Sequence, residues 1–98
     1  MPGQTRATAP ARELLLANHR FPGPYVIKAF GPESECFREG IVAAAVLVVG
    51  EARAAVAHRT SSRGSKVCVT LTVNAFTVDE VIDVYDRIHQ VPDLQLIL

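Results

Sequence analysis

The sequence predicts an α+β fold in which a four-stranded antiparallel sheet has two helices on one face. Three observations support this class. Residues 67–74 alternate strictly between apolar and polar side chains, which is the period of a half-buried strand. Residues 34–49 and 77–90 instead repeat apolar side chains at helical spacing, and each stretch opens with a residue that can cap a helix. Shorter β-rich segments lie around them, so the predicted order is strand, helix, strand, strand, helix, strand.

The size and composition of the chain limit its class. It has 98 residues, of which 49% are hydrophobic, and its formal net charge at pH 7 is zero. This length is typical of one globular domain, and a neutral chain is not typical of general nucleic-acid or membrane-surface binders. No apolar run approaches the roughly 20 residues that span a bilayer. Cys36 and Cys68 lack the C-x-x-C spacing and are typical of reduced thiols. We therefore expect a cytoplasmic protein, a monomer or weak homodimer, with neither nucleic acid nor membrane as a partner.

Residues 1–20 are predicted to form a flexible tail, and residues 21–98 the folded domain. The first twelve residues, MPGQTRATAPAR, are rich in Ala, Thr and Pro and have no periodic apolar face. Their two arginines and lack of acids are also typical of a short transit peptide, which is the less favoured alternative. The following stretch, ARELLLANH, can form a helical turn that packs on the edge of the domain.

The first half of the domain is predicted to contain two strands and one helix. Tyr25–Phe30 is rich in β-formers, and the Gly-Pro pair that follows ends this strand. Ser34 caps a helix that continues to about Val49. The apolar face of that helix consists of Phe37, Ile41, Ala44, Ala45 and Val48. Residues 52–59 form a short second strand whose inward side chains are Ala54 and Val56.

The second half is predicted to contain the alternating third strand, a helix and a last strand. Thr77 and Glu80 form a capping box, in which each residue satisfies a free backbone N–H near the other. The helix continues to about Gln90, and the Val-Pro-Asp sequence after it breaks the helical pattern. Leu94–Leu98 is the last strand. The buried stripe of the helix consists of Val78, Val81, Ile82, Tyr85 and Ile88.

A chain with this order of elements is predicted to fold as a ferredoxin-like βαββαβ sandwich. The two crossovers place the first and third strands in the centre of the sheet. Both helices cover one face, and the other face is open to solvent or to a partner. Many unrelated functions use this architecture, so the fold alone predicts no function.

The segment HRTSSRGSK joins the second and third strands and is predicted to be a hairpin turn. Gly64 supplies a residue with positive φ, and the hydroxyls of Ser61 and Ser62 can cap the turn. The segment is not a Walker A loop, because that motif is followed by a helix. A further hypothesis is that Arg63, Lys66 and the serine hydroxyls contact an anion.

The residues disfavour two common functions of this architecture. RNA-recognition motifs stack bases on aromatic side chains of the third strand, which has none here. Acylphosphatases resemble this chain in length and strand order, but their glycine-rich phosphate cradle and second-strand asparagine are missing, and Glu33, Glu35 and Glu39 would repel phosphate. The histidines lack metal-ligand spacing. We therefore predict no catalytic residue, no metal site and no cofactor, with a hydrolase as the least favoured alternative.

Charge is distributed unevenly along the chain. Acidic residues outnumber basic ones over residues 31–51 and 77–98, which contain the helices, whereas residues 52–76 contain no acid. Strand alternation predicts that basic side chains share the open sheet face, with the hairpin at its rim. This surface is predicted to bind an acidic partner or a small anion. The candidate residues are Lys28, Arg53, Arg59, Ser61, Ser62, Arg63, Gly64 and Lys66.

Three stretches, FPGPYVIKAFG, SSRGSKVCVTLTVNA and VDEVIDVYDRIHQVPDLQLIL, resemble the YbeD-like family of small bacterial proteins, a domain of unknown function. The resemblance covers Phe21 to Leu98. Its matching positions include Phe21-Pro22, Lys28 and the run Ser61-Ser62-Arg63-Gly64. Lys66 stands where the family often has an aromatic residue. The resemblance implies an ACT-like form of the ferredoxin-like fold and a regulatory role, for which a link to lipoate metabolism has been proposed.

The resemblance and the residues together predict a small non-enzymatic regulatory module that senses a small metabolite or modulates a partner enzyme. For a sensor, the expected ligand lip is the connection before the first helix, where free backbone N–H groups can hold a carboxylate. Its residues are Gly31, Pro32, Glu33 and Ser34. The alternative is a protein–protein adaptor that acts through its basic sheet face or an edge strand.

Overall fold

The chain has the predicted α+β architecture, with helices on one face of a four-stranded antiparallel sheet. A computed structural model describes residues 9–61 and 63–98. The strands are β1 Gly23–Pro32, β2 Ala54–Thr60, β3 Lys66–Ala75 and β4 Leu96–Ile97. The helices are α1 Arg12–Asn18, α2 Glu35–Val49 and α3 Val78–Ile88, with a 3-10 turn at Glu51–Arg53.

The strand order is β2-β3-β1-β4, so the first and third strands are central, as predicted. β1 and β3 pair along their whole length, from Gly23 opposite Ala75 to Pro32 opposite Lys66. β2 pairs with β3 without interruption. This ferredoxin-like arrangement follows from two crossovers, each made by one helix on the same side of the sheet.

The core lies between the inner sheet face and helices α2 and α3. The odd-numbered residues of β1 and β3 point into it, which explains the alternation seen in the sequence. The described residues include no buried polar or charged residue. Burial of apolar surface therefore supplies most of the stabilisation. The largest fully buried side chains are Ile27, Ile41, Leu71, Ile88, Val67, Val69, Val73, Val81 and Val84.

Both predicted helix caps are present. The Ser34 hydroxyl accepts a hydrogen bond from the Phe37 amide at 3.1 Å, and the Thr77 hydroxyl accepts one from the Glu80 amide at 3.3 Å. The Glu80 carboxylate reaches back and accepts from the Phe76 amide at 2.7 Å. These contacts satisfy N–H groups that have no partner inside the helix.

The main differences from the predictions are at the ends of the elements. The helical turn predicted for ARELLLANH is present as α1, within the stretch predicted as a flexible tail, and it is held more firmly than expected: Leu15 is buried in the core and α1 packs against α3. Residues 1–8 lie outside the described part of the chain. β2 begins only at Ala54, because residues 51–53 form the 3-10 turn. β4 is shorter than predicted. None of the described helices is long and apolar enough to cross a membrane.

Candidate interaction surface on the open sheet face

The sheet face opposite the helices is an ordered surface made from all four strands. Cross-strand partners share a face, so the register gives its rows. One row places Lys28 beside Thr70 and Ala57. The next row places Phe30 beside Cys68 and, beyond it, Arg59. The core residues alternate with these residues along each strand, so the side chains of the rows point away from the helices.

This surface is basic. Lys28 and Arg59 are exposed on it, as predicted from alternation. Lys66 lies at its hairpin end, where its ammonium group donates to the Gln95 side-chain oxygen at 2.9 Å. Arg63 is exposed in the turn. Among the described residues of the four strands, no Asp or Glu side chain shares this face. An approaching anionic group therefore meets cations, and no Asp or Glu side chain of these strands repels it.

A shallow depression brings several predicted residues together at the hairpin end of the face. It is lined by Arg59, Ser61 and Lys66, together with Phe30 and Cys68. Phe30 was missed as a site residue, although the alternation of β1 already placed it on the outer face. The depression combines cationic groups with an aromatic ring, so both electrostatic and apolar contacts are available there.

The other side of the open face is apolar, which the sequence analysis did not predict. Val26 of β1 is 49% exposed, and Leu96 and Leu98 at the β4 edge are 52% and 62% exposed. Leu98 exchanges two backbone hydrogen bonds with Lys28, so these leucines flank the cation directly. Only the register of β4 with β1 places these leucines on the open face, because a two-residue strand gives no periodic pattern in the sequence.

The hairpin has the predicted turn. Gly64 has a φ of 76°, and its amide donates to the Ser61 carbonyl at 2.9 Å. The Ser61 hydroxyl accepts from the Lys66 amide at 3.3 Å, so this serine stabilises the turn itself. Ser62 lies outside the described residues, and its contact with an anion stays a prediction.

Arg53 does not lie on the open sheet face, contrary to our prediction. It precedes β2 and donates to both carboxylate oxygens of Glu80, at 2.9 and 3.0 Å. It also donates to the Val49 carbonyl at 3.2 Å and the Asn74 carbonyl at 3.1 Å, and it lies 3.7 Å over the Phe76 ring. Arg53 lowers the pKa of Glu80, because its hydrogen bond favours the carboxylate. This arginine joins the 3-10 turn to the start of α3.

The predicted ligand lip is not an open loop. Gly31 and Pro32 belong to β1, and Glu33 continues the pairing by donating its amide to the Ser65 carbonyl at 3.0 Å. The Glu33 carboxylate pairs with Arg38 and accepts from the Thr60 hydroxyl at 2.8 Å. Ser34 uses its hydroxyl for the helix cap. A carboxylate ligand here would meet the carboxylate of Glu33.

Comparison with protein families assigns the chain. The model of DUF493, described as a protein of unknown function, matches residues 17–98, from the end of α1 to the C-terminal strand. The chain belongs to the DUF493 family. This is the YbeD-like family that the sequence resembles, so the predicted membership is confirmed. A search of curated proteins returned no significant match.

The open face of this DUF493 chain offers contacts suited to binding. Cationic side chains, hydroxyls of Thr70 and Thr72, and exposed apolar residues lie side by side on it. The surface can therefore attract an anionic group and cover apolar area in the same contact.

Over residues 9–61 and 63–98, no group of three or more His, Cys, Asp and Glu side chains could hold a metal ion.

Proposed function

We propose that this DUF493 protein is a non-enzymatic regulatory module that binds an acidic region of a partner protein on its open sheet face. The observation that carries the proposal is the charge of this face: Lys28, Arg59 and Lys66 are present, and the described residues of the four strands contain no Asp or Glu. A surface of one sign attracts partners of the opposite sign and speeds their encounter.

The apolar part of the face can supply binding free energy that exposed charges do not. Exposed ion pairs contribute little, typically about 0–1 kcal/mol each. Burial of apolar area contributes roughly 25 cal/mol for each Å² removed from water. Val26, Leu96 and Leu98 expose such area beside Lys28. We therefore expect the charges to orient the partner and the apolar residues to hold it.

A regulatory role fits this surface better than the alternatives. A metabolite at residues 31–34 is disfavoured because Glu33 occupies that connection with its own carboxylate. An acylphosphatase-like hydrolase is disfavoured because the residues of its phosphate cradle are missing from the sequence. A module that only binds can change a partner enzyme by covering or ordering part of it.

The proposal is tested by capture of partners from a native extract with the full chain as bait, followed by mass spectrometry. The double variant Lys28→Glu, Arg59→Glu should recover at least about tenfold less of the partners that the wild type binds. Raised salt should weaken capture by the wild type, because exposed charges are screened. The double variant should stay folded, since exposed substitutions usually cost within about 0.5 kcal/mol.

A matched control separates the position of the charges from the change in net charge. The variant Arg20→Glu, Arg87→Glu alters net charge equally, but neither residue belongs to the open face. Arg20 precedes the first residue of β1, and Arg87 lies on α3. It should capture the same partners as the wild type. If the folded Lys28, Arg59 variant captures them at wild-type strength, the open face is not the binding surface and the proposal is wrong.

A further inference from the structure

The outer edge of β2 is an unpaired strand edge. The Ser61 amide donates to the Lys66 carbonyl at 2.9 Å, which shows that odd-numbered residues of this strand point their backbone groups at β3. The N–H and C=O groups of Val56, His58 and Thr60 therefore point outward. Within residues 9–61 and 63–98, the sheet order ends at β2 and no further strand pairs with it. The backbone groups of these three alternate residues can form the hydrogen bonds of an added strand.

This edge also lacks most of the features that usually prevent pairing. Natural proteins protect edges with short strands, charged side chains (lysine above all), prolines or bulges, and of these β2 has one exposed charge, that of Arg59. The opposite edge, β4, has two residues, but β2 has seven, with the sequence AAVAHRT and no Lys or Pro. Its register with β3 is unbroken from Ala54 to Thr60, so it has no bulge. The edge is open to an extended segment along its whole length.

An apolar groove runs beside the edge on the helix side. Val56 faces the helices but stays 49% exposed, because α2 does not cover the outer strand. The groove between them is lined by the apolar residues Val42, Ala43 and Val46 of α2 and Val56 and Val69 of the sheet, and it is bordered by Arg38, Glu39, Glu51 and His58. An added strand would place every second side chain over this groove, where an apolar residue would be shielded from water.

We propose that an extended segment of the acidic partner protein adds to β2 as a fifth strand, with apolar and acidic residues in alternation. The proposal rests on the proposed function, because it names the part of the partner that binds. Strand alternation sends one set of side chains into the apolar groove and the other set to the open face. There Arg59, with Arg63 in the neighbouring turn, would face the acidic set.

Charge decides between this occupant and a second copy of the chain. A copy paired through its own β2 would bring a second Arg59 to the same open face. Among the described strand residues no carboxylate shares that face, so the added charge would stay uncompensated. An acidic segment instead neutralises the arginine that β2 presents. The acidic segment is therefore the better match.

The test uses the full chain and a blocked seven-residue peptide that alternates glutamate and valine. NMR-detected amide exchange should show at least tenfold slower exchange for Val56, His58 and Thr60 when the peptide is bound. The amides of Ala55 and Ala57 already point at β3, so they serve as an internal control and should change little. A peptide of the same composition with its glutamates and valines in separate blocks should not give this pattern.

A variant pair tests the backbone contact separately from the side chain. His58→Pro removes an outward N–H, which edge strands tolerate, and should weaken peptide binding at least tenfold. His58→Ala keeps that N–H and removes only the side chain, which lines the groove, so it should weaken binding much less than His58→Pro does. If His58→Pro does not fold, Val56→Asp tests the same edge by placing a charge beside the groove, and it should weaken binding similarly.

The outcomes separate this proposal from the proposed function. If the peptide binds and perturbs Lys28 and Phe30 while the β2 amides stay unprotected, the edge proposal is overturned and the binding face stands. If the β2 amides are protected without peptide, more strongly at higher protein concentration, a second copy occupies the edge and the proposal is overturned. If the peptide does not bind and the Lys28, Arg59 variant captures partners normally, both proposals fail.

Discussion

Gly31 shows how one residue fixes the packing between the sheet and α2. A β-carbon built at this position would lie 2.4 Å from the ring of Phe37, which is well inside van der Waals contact. The ring is buried in the core, so it has little room to move. Glycine is therefore needed here for space, in a strand position where it otherwise weakens the structure.

Gly31→Ala should lower the free energy of unfolding by about 1–3 kcal/mol, as overpacking of a core usually does. The measurement is denaturant unfolding of the wild type, Gly31→Ala, Phe37→Leu and the double variant. The cost of the alanine should be smaller in the Phe37→Leu background, with a coupling of at least about 0.5 kcal/mol. Equal costs in both backgrounds would show that the ring is not the obstacle.

Glu80 is the clearest case of a carboxylate whose environment favours its charged form. The hydrogen bonds from Arg53 lower its pKa most. Burial opposes them in part by raising the pKa, and the amides of Phe76 and Thr77, just before α3, lower it further. A carboxylate with a lowered pKa in the folded state stabilises that state fully above its unfolded pKa, which is about 4.3. This stabilisation is lost as the pH falls through the folded pKa.

Glu80→Gln should therefore be less stable than the wild type near neutral pH, and the difference should shrink as the pH falls below about 4.3. Denaturant unfolding from pH 7 to pH 3 measures it. Asp86→Asn, an exposed carboxylate of the same helix, is the control and should show a much smaller difference. A Glu80→Gln deficit that stays constant over this range would mean that the charge of Glu80 is not its contribution.

At the scale of elements, α1 extends the packed domain towards the N-terminus, beyond the start predicted at residue 21. Its seven residues are too few to form a stable helix alone. The helix is held by Leu15, which is 2% exposed and belongs to the core cluster, and by an ion pair between Arg12 and Asp79 of α3. Both side chains of that ion pair are exposed, so the burial of Leu15 contributes most of the free energy that holds α1 on the domain.

Leu15→Ala should lower the free energy of unfolding by about 2 kcal/mol, at the low end for buried leucines, because α1 can undock instead of leaving a cavity. Leu14→Ala is the matched control: Leu14 is 59% exposed, so the change should stay within about 0.5 kcal/mol. Thermal or denaturant unfolding measures both. Equal effects would mean that α1 contributes only its own helical structure.

The turns and caps were the most predictable elements. The predicted caps are present at Ser34 and Thr77, and the predicted positive φ is present at Gly64. Each feature depends only on the residue itself and on backbone groups a few residues away. The ends of the elements were less predictable. Arg53 follows a helix and precedes a strand, and only the 3-10 turn places it beside Glu80 instead of on the sheet.

At the scale of the whole molecule, the fold separates charges that are mixed along the chain. The acid-rich segments contain α2 and α3, which lie on one side of the sheet. The cations of β1 to β3 collect on the other side, because a strand period of two sends alternate residues there. A chain of zero net charge thus presents a basic face, which composition alone concealed.

The sequence by itself determined the fold class, the strand order, the helix caps and the basic character of the open face. These depend on periodicity and on contacts between residues close in the chain, which a sequence records directly. The tertiary structure alone decided the positions of Arg53 and Leu15, the closed environment of Glu33, and the apolar side of the open face around Leu96 and Leu98. Each of these depends on which distant segments meet, and that is set by strand register and helix packing, which no local pattern specifies.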